Sequence, residues 1–211
     1  MEIDFTLEEI QNEKSLKLRA LKFAVHAHNG QVRKGSGLPY ITHPLKVARY
    51  LEKCGASKQL IAAAYLHDVL EDTKYTFDDI ENLFGIEVSR LVRLASEEDK
   101  TKSWETRKKA SIEKVKRMTL EEKLLIAADK LANITDINEE YQQLGYIDFD
   151  KFKRGREHQE WFYRNMYFNL VEGENKEQYI FRQLKDNINK VFDRNMDDYL
   201  REENLEKVLK I

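Results

Sequence analysis

The stretch 60-LIAAAYLHDVLED-72 constrains this chain more than any other, because an apolar, helix-favouring segment ends in a histidine and an aspartate. A helix over Leu60 to Leu66 is expected to be buried, and it carries His67 and Asp68 inward with it. An imidazole and a carboxylate taken out of water are costly unless they are hydrogen-bonded, paired or bound to a cation. The fold must therefore bring partners to them. In a continuing helix Glu71 and Asp72 follow His67 and Asp68 at i,i+4 spacing, which sets both added carboxylates near the same face.

Two further positions supply such partners. His43 opens 43-HPLKVARYLEKCG-55, where Pro44 suits the first turn of a helix and Gly55 its end. Asp129 lies within 124-LLIAADKLAN-133, an apolar helical stretch in which an aspartate has no evident structural use. A lone core histidine is ordinarily hydrogen-bonded and a lone buried aspartate is ordinarily a cap. His43, His67, Asp68 and Asp129 together offer two nitrogens and two oxygens, which suits a borderline or hard divalent cation with open positions left for water and substrate.

The rest of the chain reads as all-α. Only two prolines and eight glycines interrupt it, and charged residues alternate with apolar ones at helical spacing. One helix is expected from Leu7 to His28, with Thr6 to Glu9 as a capping box and a break at Asn29-Gly30. A loop, 30-GQVRKGSGLPYI-41, then carries Arg33 and Lys34 straight into His43. Segment 73–85 gives a turn and a short helix capped by Thr76, and another helix spans Glu87 to Ala95. A polar loop, 96-SEEDKTKSW-104, leads toward Trp104, which is expected to anchor the segment by packing. From Thr119 a helix runs through Leu124 to Asp129 and Asn133, so that Asn133 sits one turn beyond Asp129 with its amide beside that carboxylate. The aromatics of 156-REHQEWFYRNMYFNL-170 are expected to pack the core, with His158 outside the metal set. Residues 1–175 are read as one domain, and 176–211 as a C-terminal helical extension of it. The apolar face of that extension includes Ile180, Leu184, Ile188, Val191, Tyr199, Leu205 and Leu209.

Charge and cysteine usage exclude several classes. Lys and Arg total 36 against 38 Asp and Glu, a formal net charge of −2, so no global positive field exists for nucleic acid. An anionic small molecule has to be met locally. No apolar run approaches the roughly 18 residues of a membrane span. The acidic start MEIDFTLEEI lacks the pattern of a secretion signal. Cys54 is the only cysteine, which rules out an internal disulfide. A cytoplasmic protein without membrane or nucleic-acid partners is expected.

The order H…HD…D, together with 33-RKGSGLPYITHP-44, 66-LHDVLEDT-73 and 128-ADKLAN-133, resembles the HD-type hydrolases of guanosine 3′,5′-bis(pyrophosphate), the family of the Rel and Spo alarmone enzymes. The likeness runs from about residue 20 to about residue 170 and is nearest to the stand-alone small alarmone hydrolases. It implies a single HD-domain helical bundle that removes the 3′-pyrophosphate from the alarmone, leaving GDP or GTP, with manganese as the ion. It also implies that Glu71 and Asp72 orient a water or move its proton, and that Arg33 lies over the base. Lys34 and Lys100 would neutralise phosphates, with Arg107 and Lys108 as weaker contacts, and Asn133 would fix the nucleoside. The synthetase half of the long enzymes is not expected here.

Two departures bear on the base. The loop 33-RKGSGLPY-40 is one residue longer than in the long enzymes, and Ala132-Asn133-Ile134-Thr135 stands where they carry HNMR, with only the asparagine kept. An adenosine alarmone stays open as substrate. So do a different HD phosphohydrolase and a catalytically silent alarmone-binding or scaffold protein, although the Arg33 to Pro44 loop and the intact ligand set argue against these two.

Overall fold

The computed structural model describes residues 4–199 apart from 35, 97–100, 150, 151, 153, 175 and 197. Among them lie α1 (Leu7–Gln11), α2 (Leu16–Ala27), α3 (Thr42–Lys53), α4 (Lys58–Leu66), α5 (Val69–Asp72), α6 (Phe77–Phe84), α7 (Ile86–Ala95), α8 (Trp104–Val115), α9 (Leu120–Leu144), α10 (Gly155–Val171) and α11 (Tyr179–Phe192). The only pairing of strand type among the described residues is one isolated antiparallel bridge, Val32 to Pro39. The chain is all-α, as its periodicity requires.

Helix α4 is the axis of the bundle. Ser57 caps it by accepting from the Leu60 N–H at 3.1 Å, and every residue from Leu60 to Leu66 is buried. Its three alanines, Ala62, Ala63 and Ala64, have no accessible surface, so neighbouring backbones can approach closely. Helices α2, α3, α7 and α9 pack around it. The second long element, α9, starts from a capping box in which the Thr119 N–H donates to Glu122 at 2.8 Å, and it ends at Gly145 with φ +77°, a left-handed value that glycine adopts without a Cβ penalty. Helix α11 lies along α9, and α10 packs on α8 and α11.

Four expectations need correction. The single helix over Leu7 to His28 is two, because Asn12 caps α1 and Ser15 starts α2, its Oγ accepting from the Leu18 N–H. The capping box at Thr6 and Glu9 is present. The helix through 67–72 does not continue unbroken: α4 stops at Leu66, Asp68 takes φ −91° and ψ −7°, and α5 begins at Val69. The α9 helix extends well past Asn133 to Leu144, and Trp104–Val115 form a helix, α8, where the sequence carries no helix expectation.

The C-terminal apolar face is buried where it is described. Ile180, Leu184, Ile188 and Val191 line the core side of α11 and Tyr199 is buried, whereas Leu205 and Leu209 lie outside the described residues. Arg164 has no accessible surface and ties α10 to the end of α11, donating from Nε to Glu160 at 2.8 Å and from Nη2 to the Arg194 carbonyl at 2.8 Å.

Candidate metal centre

One loop, the first turn of α3, the bend after α4 and the middle of α9 converge at the C-terminal end of α4. The loop after α2 folds back on itself: the Arg33 N–H donates to the Leu38 carbonyl at 2.8 Å and the Tyr40 N–H to the Gln31 carbonyl at 2.9 Å. Gly37, at φ +68°, makes the reversal. This turns Arg33 and Tyr40 toward the bundle and feeds the chain into α3, whose first turn holds His43 and Pro44. The bend at His67-Asp68 and the middle of α9 at Asp129 complete the arrangement.

His43 Nε2 lies 3.2 Å from His67 Nε2 and 3.1 Å from Asp129 Oδ1, and His67 Nε2 lies 3.7 Å from the same oxygen. Asp68 closes the group, with Oδ1 3.3 Å from His67 Nε2 and Oδ2 3.7 Å from His43 Nε2. Both histidines are buried. His67 Nδ1 donates to the Ala64 carbonyl at 2.8 Å, which directs Nε2 at the cluster. His43 Nδ1 is buried without a hydrogen-bond partner among the described residues, so that ring is engaged through Nε2 alone.

The donor set fits a divalent ion. Bonds of about 2.0–2.2 Å separate ligand atoms by roughly 3.0–3.5 Å in octahedral or tetrahedral shells, and the spacings here are of that size. His43, His67 and Asp129 can hold a metal ion, and Asp68 stands beside them.

Charge in the cluster is strongly coupled. Burial disfavours the His67 imidazolium, but Asp68 and then Asp129 outweigh it and hold its pKa up at about 9. Burial likewise opposes ionisation of Asp129, yet Lys130 and the two histidines keep its carboxyl well below the usual range, and His67 and His43 lower Asp68.

The surrounding residues divide into three groups. Lys130 Nζ contacts Asp129 Oδ2 at 2.6 Å while the Asn133 amide donates to Oδ1 at 2.7 Å, so both oxygens of Asp129 are fixed. The Tyr40 hydroxyl lies 2.7 Å from Asp68 Oδ2 and 2.9 Å from Asp72 Oδ2, and its ring stacks on buried His28 with centroids 4.6 Å apart. Arg33 Nη2 donates to Asp136 Oδ2 at 2.7 Å and to Asn133 Oδ1 at 3.1 Å, with its guanidinium 5.7 Å from the centre of the Tyr40 ring.

Above the cluster is a cavity of about 250 Å³. Arg33, Glu71 and Asn133 line it, together with Lys108, Lys114 and Lys130. Phe162 forms part of its wall, with Lys108 Nζ 4.9 Å and Lys130 Nζ 5.8 Å from the ring centre. Asp72 is exposed, and its carboxylate meets the Tyr40 hydroxyl at the edge of the site. Lys34 does not line this cavity; it is exposed and borders a neighbouring hollow between α3 and α9, along with Arg33, His43 and Asn133. Lys100 lies outside the described residues. His158 packs edge-on against Trp104, away from the cluster.

Sequence reasoning missed Tyr40, Lys130, Lys114, Asp136 and His28. Tyr40 had a signal, its place within the Arg33 to Pro44 stretch, and Lys130 had another, its adjacency to a buried aspartate.

An all-α bundle that gathers a histidine, a His-Asp pair and a distant aspartate at the floor of a cavity defines a class of helical metal-site proteins. Residues 20–146, more than half of the chain, match the family described as HD domain, and the chain belongs to that family. It is 40% identical over 130 residues to guanosine-3′,5′-bis(diphosphate) 3′-pyrophosphohydrolase MESH1 of Mus musculus, across 60% of this chain and 72% of that protein. Among solved structures, lmo0812 from Listeria monocytogenes EGD-e matches with a TM-score of 0.67 and 38% identity, over 72% of this chain and 99% of that one. A metazoan ortholog of SpoT that hydrolyzes ppGpp matches with a TM-score of 0.69 and 30% identity, over 84% of this chain and 96% of that one. No helix among the described residues is long and apolar enough to cross a membrane.

Proposed function

We propose that this chain is a metal-dependent phosphohydrolase that removes the 3′-pyrophosphate from guanosine 3′,5′-bis(pyrophosphate) or from its 5′-triphosphate counterpart, giving GDP or GTP respectively, and pyrophosphate. The observation that carries the reading is the convergence of His43 Nε2, His67 Nε2 and Asp129 Oδ1 at the floor of a cavity whose walls bear Arg33, Lys108, Lys114 and Lys130. The names of the relatives give the substrate class. His43, His67, Asp68 and Asp129 would hold the ion, with manganese as our choice. A divalent ion there supplies Lewis acidity toward a phosphoryl oxygen and toward the attacking water.

The chain's own groups do the rest. Glu71, in the cavity wall, accepts the proton of the attacking water, and general-base help of this kind is worth roughly 10²- to 10⁴-fold. Asp72 acts at one remove, holding the Tyr40 hydroxyl against Asp68. Lys108, Lys114 and Lys130 offset the charge of the phosphates as the bond from phosphorus to the ribose 3′-oxygen breaks and that oxygen takes up a proton. Asn133 meets the nucleoside end, and Lys34 and Lys100 neutralise phosphates.

The adenosine counterpart is the second reading, and one observation favours keeping it. Asn133 is committed at both ends, its Oδ1 to Arg33 and its Nδ2 to Asp129, so in this arrangement it reads no base edge. Purified protein incubated with Mn²⁺ and guanosine tetraphosphate, its adenosine counterpart, GTP or cyclic nucleotides tests both readings. Pyrophosphate release from the guanosine alarmone is expected. Turnover of GTP or cyclic nucleotides alone would overturn the proposal.

A further inference from the structure

The loop between α2 and α3 grips the last residue of α5 twice. Tyr40 takes the Asp72 carboxylate, its hydroxyl 2.9 Å from Oδ2, and Gln31 takes the Asp72 carbonyl, donating from Nε2 at 2.8 Å. The two gripping residues are themselves paired: the Tyr40 N–H donates to the Gln31 carbonyl at 2.9 Å, next to the bridge from Val32 to Pro39. Helix α5 is a single turn of four residues. A lone turn orders more backbone than its hydrogen bonds repay, and its last carbonyls have no donor within the helix. Its position is therefore set from outside. That position matters because Glu71, one residue before Asp72, stands in the wall of the central cavity.

Gln31 also fixes the ring behind Tyr40. The Asp72 carbonyl only accepts, so Gln31 turns Nε2 toward it and Oε1 the other way, 2.8 Å from His28 Nδ1. His28 must then carry its proton on Nδ1. Burial pushes its pKa down, and its Nε2 is buried without a hydrogen-bond partner among the described residues, so the ring is neutral. What it offers Tyr40 is a face, stacked with centroids 4.6 Å apart. One amide thus spans from the ring that backs Tyr40 to the carbonyl end of α5. Gln31 itself lines neither the central cavity nor the hollow between α3 and α9.

Resting on the phosphohydrolase reading, we propose that Gln31 is a positioning residue with two separable effects. Through His28 it holds the Tyr40 hydroxyl against Asp68, which acts on the ion. Through the Asp72 carbonyl it holds the end of α5, which keeps Glu71 within reach of the attacking water. Because the first effect needs an acceptor on Gln31 and the second a donor, substitution can remove one and leave the other.

The test compares two variants of the full chain with the parent by calorimetric titration with Mn²⁺, by melting temperature and by steady-state pyrophosphate release from guanosine tetraphosphate. Gln31→Leu removes both bonds. Gln31→Glu, ionised at pH 8, still accepts from His28 but sets an oxygen against the Asp72 carbonyl. Gln31→Leu should bind Mn²⁺ roughly tenfold more weakly or worse. Adding it to Tyr40→Phe should cost nothing beyond Tyr40→Phe alone, since Gln31 reaches the ion through that hydroxyl. Gln31→Glu should keep the parent's Mn²⁺ affinity and KM while kcat falls roughly 10- to 100-fold, a split that lost packing does not produce. It leaves His28 paired, so it decides the matter even where Gln31→Leu melts early. Parental Mn²⁺ affinity in Gln31→Leu, losses that add in the double variant, or parental kcat in Gln31→Glu each overturn the proposal. A rise in KM alone also overturns it, because Gln31 would then touch the substrate. The Mn²⁺ titrations read Gln31 even in a chain that turns over no alarmone, so a failed phosphohydrolase reading and a failed positioning role give separate results.

Discussion

Tyr40 places its hydroxyl 2.7 Å from Asp68, one residue beyond the buried His67, and 2.9 Å from Asp72 on the short helix that follows. Burial, and then the nearby Asp68 charge, push the phenol's pKa well up, so it keeps its proton and acts as a donor. His28, stacked behind the ring, fixes its plane. The bend between α4 and α5 is thereby tied to the loop that precedes α3.

Removing that hydroxyl while keeping the ring isolates its contribution. Tyr40→Phe should retain the stack on His28 and the melting temperature to within a few degrees. Loss of an outer partner to a ligating carboxylate costs roughly 10- to 100-fold in ion affinity or activity, and here affinity should fall first because Asp68 loses its restraint. Metal titration and turnover measured together decide the matter. If both match the parent, Tyr40 is only a packing element.

Lys130 makes a less intuitive prediction. Its ammonium sits 2.6 Å from Asp129 and repels any cation bound there. Like charges about 4 Å apart at an effective dielectric of 20 repel by about 4 kcal/mol, which exceeds the roughly 1–3 kcal/mol of a hydrogen bond to a charged group. Lys130→Met should therefore bind the ion more tightly and the anionic substrate more weakly, raising KM, whereas Lys130→Arg should restore both toward the parent. A variant with weaker ion binding and unchanged KM would show that holding Asp129 in place outweighs its charge.

How much of this was legible beforehand depended on whether a residue's cost was local. His43, His67, Asp68 and Asp129 stand out in the sequence because a polar group in an apolar helical stretch is expensive wherever the chain goes. The aromatic stripe of α10 and the apolar face of α11 announce themselves by period. Tyr40 lies in an irregular loop with no period to betray its orientation, and only the turn at Gly37 aims it. Lys130 looks like a solvated face of α9, because its burial is created by Phe162 and Tyr163 from another helix. The interruption at Asn12 to Ser15 was hidden by helix-compatible residues on both sides, where Ser15 served as a cap without a proline or glycine to mark it. The break at Asp68 is likewise invisible to propensity, since every residue from Leu66 to Asp72 tolerates a helix.

The protonation of His67 couples ion uptake to pH. In the ion-free protein its pKa is raised from 6.5 to about 9, so it is protonated at neutral pH, and it must be neutral to ligate. Ion binding at pH 7.5 should release about one proton, and apparent affinity should climb with pH until about 9 and then level off. Stability of the ion-free protein runs the other way: the contribution of charged His67 is complete below about pH 6.5 and is lost as pH rises through about 9. Calorimetry in two buffers of different ionisation enthalpy counts the protons. Release of none at pH 7.5 would mean that His67 is already neutral.

Arg33 lines both the central cavity and the α3–α9 hollow, which makes it the residue placed to meet a base between the two. Its Nη2 is held by Asp136 and Asn133 and one side of the guanidinium approaches Tyr40, so its hydrogen-bonding edge is partly spent before any ligand arrives. What it can still offer a purine is its planar face, and a cation over a π-face is worth about 0.5–2 kcal/mol whichever purine is present. Arg33→Ala should therefore raise KM for the guanosine and adenosine alarmones by similar factors, in the range of roughly 2- to 30-fold. The guanine-to-adenine ratio of kcat/KM should stay where it was. Steady-state kinetics on both substrates, for the parent and the variant, make the comparison. A large shift in that ratio would mean that Arg33 leaves Asp136 in the complex and reads the base edge, and Asp136 would then be the restraint that substrate has to displace.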